Sequence, residues 1–150
     1  MKVLFVCTGN TCRSPMAELY FNFLMQKNNC TEHRAASAGL AAFSGGEMSV
    51  QSQTVLKEQG IDPEPFRSSE LTLYHLQESD LIIGMTRSHC QSILRAVPEC
   101  ADKLHYLLEW TGGTDVSDPF GSSTAVYRQT FEEIKAAVDR MAEKLLRQND

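Results

Sequence analysis

The sequence has no apolar run approaching the ~20 residues needed to span a bilayer. It has no basic block either. Fourteen lysines and arginines face 19 aspartates and glutamates, a formal net charge of -5, so nucleic acid or an anionic membrane is not expected as the main partner. The opening MKVLFV is too short an apolar run for a secretory leader, and the chain is expected to be cytosolic and unprocessed. There is no C-x-x-C among the five cysteines, Cys7, Cys12, Cys30, Cys90 and Cys100. That weakens zinc and thioredoxin-like readings, and the odd count points to thiols rather than a disulfide framework. The four histidines, His33, His75, His89 and His105, show no paired metal spacing. Repeats, low-complexity tracts and linkers are also missing, which leaves one domain over residues 1–150.

What is present alternates strands with helices. With 42% hydrophobic residues the chain can bury a core. Lys2 to Val6 is apolar without alternation, as in a strand buried on both faces. Ser14 and Pro15 suit the cap and first residue of a helix carrying Met16, Leu19, Tyr20, Phe23 and Leu24 at helical spacing. A second strand is expected over Arg34–Ala38 and a helix over Ser49–Gln59 with Gly60 as its left-handed stop. A short helix capped by Ser69 and ending near Gln77 follows, then a strand over Leu81–Met85, a helix over Ser88–Val97 and a strand over Leu104–Leu108. Tyr127, Phe131, Ile134, Val138, Met141 and Leu145 mark one face of a long last helix. The pattern predicts a three-layer α/β/α sandwich with a four-stranded parallel sheet, its site beyond the carboxyl ends of the strands.

The segment Cys7-Thr8-Gly9-Asn10-Thr11-Cys12-Arg13-Ser14 leaves such a strand and enters such a helix. Five residues between cysteine and arginine can wrap backbone N–H groups around a tetrahedral anion, with the helix N-terminus adding its positive end. Gly9 permits a left-handed conformation and Asn10 tolerates one. Arg13 can grip two oxygens of the anion. The same field favours the thiolate of Cys7, to which Ser14 can donate, giving a nucleophile inside a phosphate cradle. No Gly-Lys-Ser/Thr follows, which argues against a Walker loop.

On these residues, on Ser37-Ala38-Gly39 and on the late Asp118-Pro119, the chain resembles the low-molecular-weight protein tyrosine phosphatase family. The resemblance implies a phosphocysteine mechanism in which Asp118 protonates the leaving group and then activates water. Pro119 biases Asp118 away from helical geometry, while Asp115 is expected to be a solvated loop charge. Within the fold, Thr11 and the DPFG of residues 118 to 121 resemble the bacterial protein-arginine phosphatases more closely than the tyrosine enzymes. The latter usually carry a bulky aliphatic residue at the Thr11 position. The resemblance therefore implies phosphoarginine proteins as substrates, phosphotyrosine being the alternative, with inorganic phosphate as product and no metal or other cofactor. A threonine hydroxyl could bond near a P–N centre or orient water, and Phe120 and Phe43 are expected at the rim. The bland alternative for Thr11 is a loop residue that satisfies a neighbouring amide.

Many family members also carry a histidine ahead of the short middle helix. Phe66 stands there, followed by Arg67 and Ser68, so support of the loop is expected from Ser37 and Asn10. Cys12 lies near enough to Cys7 to capture an oxidised form as a disulfide. An arsenate reductase relay would need two further cysteines closer together than Cys90 and Cys100. A non-catalytic phosphate-binding module would not need nucleophile, arginine and acid together. The chain is expected to act as a monomer, with His105 in the core and His33, His75 and His89 on the surface.

Overall fold

The computed structural model describes residues 1–148. Four strands, β1 (Lys2–Cys7), β2 (Arg34–Gly39), β3 (Leu81–Gly84) and β4 (Leu104–Tyr106), form a parallel sheet in the order β2-β1-β3-β4. Helices cover both faces, which is why β1 shows no polar alternation. Val3, Phe5 and Cys7 point into one core with α1 (Arg13–Lys27), α2 (Val50–Glu58) and α5 (Thr124–Arg147). Leu4 and Val6 point into the other, with Leu76 of α3 (Leu73–Glu78) and Ile93 of α4 (Arg87–Ala96). Burying each such side chain is worth about 1.5–3 kcal/mol, and the expected face of α5 is buried at all six positions.

Several boundaries differ from the sequence reading. Helix α1 starts at Arg13, with Cys12 at its cap position and no side-chain cap. Ser14 does not cap it, because its hydroxyl is held by Cys7 and Asn10. Thr72, not Ser69, caps α3, since the neighbouring Glu70 bridges to Gly39. Strand β4 stops at Tyr106 because Leu107–Trp110 winds into a 3-10 turn. His105 therefore sits on an edge strand, half-exposed and paired with Glu109 at 3.0 Å, rather than in the core. Ser49 and Gly60 do bound α2: Ser49 accepts from Ser52 N, and Gly60 has φ +77°.

The order of strands reverses across β1, so the carboxyl ends of β1 and β3 open a crevice. Gly39, ending β2, closes one side of it. A Cβ there would lie 2.5 Å from Thr8 O and 2.9 Å from Asn10 N, both backbone atoms of the loop after β1. Gly39→Ala is expected to displace that loop at a cost of about 1–3 kcal/mol. Urea unfolding should show the loss, and turnover should fall with it; an unchanged midpoint would mean that the loop yields freely.

Candidate active site

Cys7 is the last residue of β1 and is buried, and the chain from Thr8 to Cys12 wraps over it before α1 begins. The wrap needs one left-handed residue. That residue is Asn10, at φ +53°, whereas Gly9 does not take the positive φ expected of it. The turn points Asn10 N at Cys7 Sγ, 3.3 Å away, and turns the Asn10 side chain inward, where it is fully buried. There its Nδ2 donates to Ser14 Oγ at 2.8 Å and to Ser37 Oγ at 2.9 Å, while Oδ1 accepts from Ser69 N at 2.8 Å. Ser37 Oγ in turn donates to Glu18 Oε1 at 2.7 Å. Burial pushes the Glu18 carboxyl up, with the Ser37 hydrogen bond and the Arg34 charge partly offsetting it.

This network fixes a direction. Ser14 Oγ accepts from Asn10, so its own hydrogen is free for Cys7 Sγ at 2.8 Å. Two donors thus converge on the sulfur. Ser37 and Asn10 come together as the sequence suggested, but Glu18 and the backbone of Ser69 are members it did not reveal. Phe66 packs in the core. Ser68 serves the Phe43 loop, donating to Phe43 O at 2.5 Å and accepting from Gly46 N at 2.9 Å.

Arg13, on the first turn of α1, is buried. Its Nη1 donates to Val116 O at 3.2 Å and its Nη2 lies 3.8 Å from Asp118 Oδ2. Val116 N is itself tied to Met85 O at 3.0 Å, so the segment carrying Asp118 is moored to the end of β3. Asp118 Oδ1 accepts from Phe120 N at 3.1 Å, a local turn that leaves the carboxylate exposed over the loop. A cavity of about 270 Å³ results, floored by loop residues other than Asn10 and walled by Asp118 and Phe120, the latter 77% exposed. Phe43 does not line this cavity.

Thr11 lines it, half-buried. Among the described residues, the one hydrogen-bond partner of its hydroxyl is Cys12 Sγ, at 3.6 Å. Satisfying a neighbouring amide is therefore not its occupation. Cys12 Sγ also lies 3.3 Å from Tyr127 Oη, and all five cysteines are free thiols. Cys90 and Cys100 donate to carbonyls, His105 O at 3.2 Å and Val97 O at 3.0 Å. Burial pushes the Cys90 thiol up to about 11 and raises Cys100 as well, so neither suits a thiolate relay. No cluster of three metal-ligating residues, and no helix long and apolar enough to cross a membrane, occurs among the described residues.

Two expectations fail next to the loop. Asp115 is not merely solvated: its Oδ1 accepts from Arg87 N at 2.8 Å, at the start of α4. His89 is not on the surface but buried, 5% exposed, with Nε2 2.9 Å from Thr8 Oγ1. His33 is likewise buried, and His75 closes a capping box with Thr72. The one local signal for His89 was its place three residues after a helix-capping threonine, Thr86, whose hydroxyl accepts from His89 N at 3.1 Å.

Burial, then the Arg13 charge, hold the His89 imidazole down to about 4 from an ordinary 6.5, with Asp115 and Asp118 opposing. Between those values the unfolded chain binds a proton that the folded one refuses. Stability from this group is therefore complete above pH 6.5, falls with acidification and levels off below about 4. Urea midpoints at about pH 7 and about pH 4.5 should differ less in His89→Gln than in the wild type. Equal differences would contradict the assignment.

Comparisons with known proteins identify the family and the fold. The family described as low molecular weight phosphotyrosine protein phosphatase matches residues 2–150. A protein-arginine-phosphatase of Geobacillus stearothermophilus is 41% identical over 146 residues, covering 96% of this chain and 95% of that one. A crystal structure of a low molecular weight protein tyrosine phosphatase from T. tengcongensis is 42% identical, covers 96% of this chain and 99% of that one, and superposes with a TM-score of 0.91. A YwlE arginine phosphatase mutant with a phosphorylated active-site serine is 36% identical, with 97% and 95% coverage and a TM-score of 0.91.

Proposed function

The chain belongs to the low molecular weight phosphotyrosine protein phosphatase family, and from that membership we propose that it is a cysteine-dependent protein phosphatase that removes phosphate from phosphoarginine. Cys7 attacks phosphorus in line with the leaving nitrogen. The P–N bond breaks as Asp118, entering as the acid, protonates the departing guanidine, and the phosphoryl group remains on sulfur. The Asp118 carboxylate then takes a proton from water, whose oxygen attacks phosphorus, releasing inorganic phosphate and the Cys7 thiolate. Arg13 and the N–H groups of residues 8 to 14 stabilise the transferring charge, a task that metal ions perform in other phosphoryl-transfer enzymes. Ser14, Asn10 and Ser37 hold the loop in shape.

The observation that carries the arginine reading is the Thr11 hydroxyl, set in the cavity with a single weak partner in sulfur. A polar group there suits a substrate whose N–H groups lie beside phosphorus. Two features favour phosphotyrosine as a second reading: Phe120 exposes a ring at the rim, and one relative of comparable identity is named a tyrosine phosphatase. Comparing kcat/KM on a phosphoarginine peptide and a phosphotyrosine peptide decides between them. The wild type should favour phosphoarginine, and Thr11→Ile should move the ratio ~10–200-fold toward phosphotyrosine, the scale of one pocket contact. A wild type that prefers phosphotyrosine would overturn the arginine assignment.

The chain works as one domain, because α5 packs back onto α1, and as a monomer without nucleic acid, membrane or metal, because each role above is filled by its own residues. A reducing cytoplasm suits five free thiols. Under peroxide, a sulfenic acid at Cys7 would condense with the Cys12 thiol, releasing water and sparing Cys7 from further oxidation.

A further inference from the structure

The mechanism above leaves His89, a buried titratable group beside the loop, without a task. His89 sits in the first turn of α4, its ring enclosed, with Nε2 2.9 Å from the hydroxyl of Thr8. Thr8 directly follows Cys7, lines the cavity and is exposed to it. The other ring nitrogen, Nδ1, is buried and has no hydrogen-bond partner among the described residues. The helix turn that carries His89 is itself fixed twice, by Thr86 Oγ1 accepting His89 N and by Asp115 Oδ1 accepting Arg87 N. So the ring is aimed at Thr8 by the fold.

Resting on the phosphatase reading, we infer that His89 is a positioning residue: as the neutral Nε2–H tautomer it donates to Thr8 Oγ1, so that the hydrogen of Thr8 is directed at the phosphoryl group held over Cys7. The chemistry of the two ring nitrogens supports this tautomer. If Nδ1 carried the hydrogen, a buried N–H would stay unpaired, which folded proteins tolerate less well than an unpaired acceptor. And Nε2 would then accept from Thr8, consuming the one hydrogen that Thr8 can offer an anion. The charged groups around the ring are Arg13 on α1 and Asp115 and Asp118 on the acid loop. Burial and Arg13 together keep the ring neutral at working pH.

A hydroxyl that accepts from imidazole keeps its own hydrogen free to donate to the cavity. The loop's amides are fixed donors, and the His89–Thr8 pair adds a side-chain donor of set polarity at the residue next to the nucleophile.

The test reads inorganic phosphate as a competitive inhibitor, with kcat and KM on one phosphopeptide measured alongside. His89→Gln can place an amide N–H where Nε2 stood, whereas His89→Asn reaches only the Nδ1 position. His89→Ala and His89→Asn should raise the inhibition constant and KM about tenfold, the worth of one hydrogen bond to a charged group. His89→Gln should stay within about threefold of the wild type. Thr8→Val should match the loss of His89→Ala, and the double variant should be no worse than either alone. Nitrogen-15 spectra of histidine-labelled wild type read the tautomer without any substitution, and should show Nε2 protonated and Nδ1 bare. Protonation at Nδ1, unchanged phosphate affinity in His89→Ala, or a Gln variant no better than Asn would each overturn the inference. A wild type that neither binds phosphate nor turns over would instead sink the phosphatase reading, and the spectra would still report on the His89–Thr8 pair.

Discussion

Replacing Cys7 by serine is expected to lower kcat by on the order of 10⁴- to 10⁶-fold, the loss seen when a covalent catalyst loses its nucleophile. The size follows from the surroundings of Sγ. Ser14 Oγ and Asn10 N both point at it, and donors of this kind stabilise a thiolate. A serine oxygen at the same place would remain a protonated hydroxyl, since a few donors do not make an alkoxide near neutral pH. The cradle itself would persist, because Asn10, Ser37 and Ser69 hold the loop without help from sulfur. Inorganic phosphate should therefore still bind the Cys7→Ser protein with nearly wild-type affinity, read by calorimetry. Retained turnover within about tenfold of the wild type would show that another group attacks phosphorus.

The second large effect belongs to Asp118→Asn. Removing a positioned acid and base should reduce kcat ~10²–10⁴-fold with little change in KM. The carboxylate sits on the cavity wall, 3.8 Å from the Arg13 guanidinium and held by its own turn to Phe120 N. Asparagine preserves that turn, since its side-chain oxygen can accept the same hydrogen bond, but it can neither give nor take a proton. Both half-reactions should slow. Rapid-quench experiments should show a phosphoryl-enzyme that decays slowly once formed, because the water has lost its base. If Asp118→Asn instead raised KM alone, Asp118 would be a substrate contact, and the proton would have to come from elsewhere.

How much of this was legible in advance depended on how local the signal was. The run KVLFV reads as a strand buried on both faces, and β1 is one, because helices pack on either side of it. The loop after it is local too: the spacing from Cys7 to Arg13 fixes which atoms can surround an anion. The errors came where two local rules competed. Gly9 and Asn10 both tolerate a left-handed backbone, and only the demand that Asn10 reach Ser14, Ser37 and Ser69 at once selects Asn10. Ser14 before Pro15 looks like a helix cap, yet its hydroxyl is claimed by Cys7, so α1 starts at Arg13. The contacts of His89 and Asp115 left almost no signal, the Thr86 cap before His89 being the one local mark. His89 and Asp115 lie 82 and 108 positions beyond Cys7 and meet the site only because β3 and the start of α4 run beside β1. His105 was misplaced for a related reason, since nothing nearby in sequence marks β4 as an edge.

The central claim is that phosphate leaves a guanidine nitrogen for Cys7. The most direct measurement is to mix the Asp118→Asn protein with a phosphoarginine peptide, quench in milliseconds and locate the phosphoryl group by peptide mass spectrometry. The account predicts a phosphorylated Cys7 that rises and then decays as free phosphate appears. Consumption of the peptide with Cys7 unmodified at every time would contradict it.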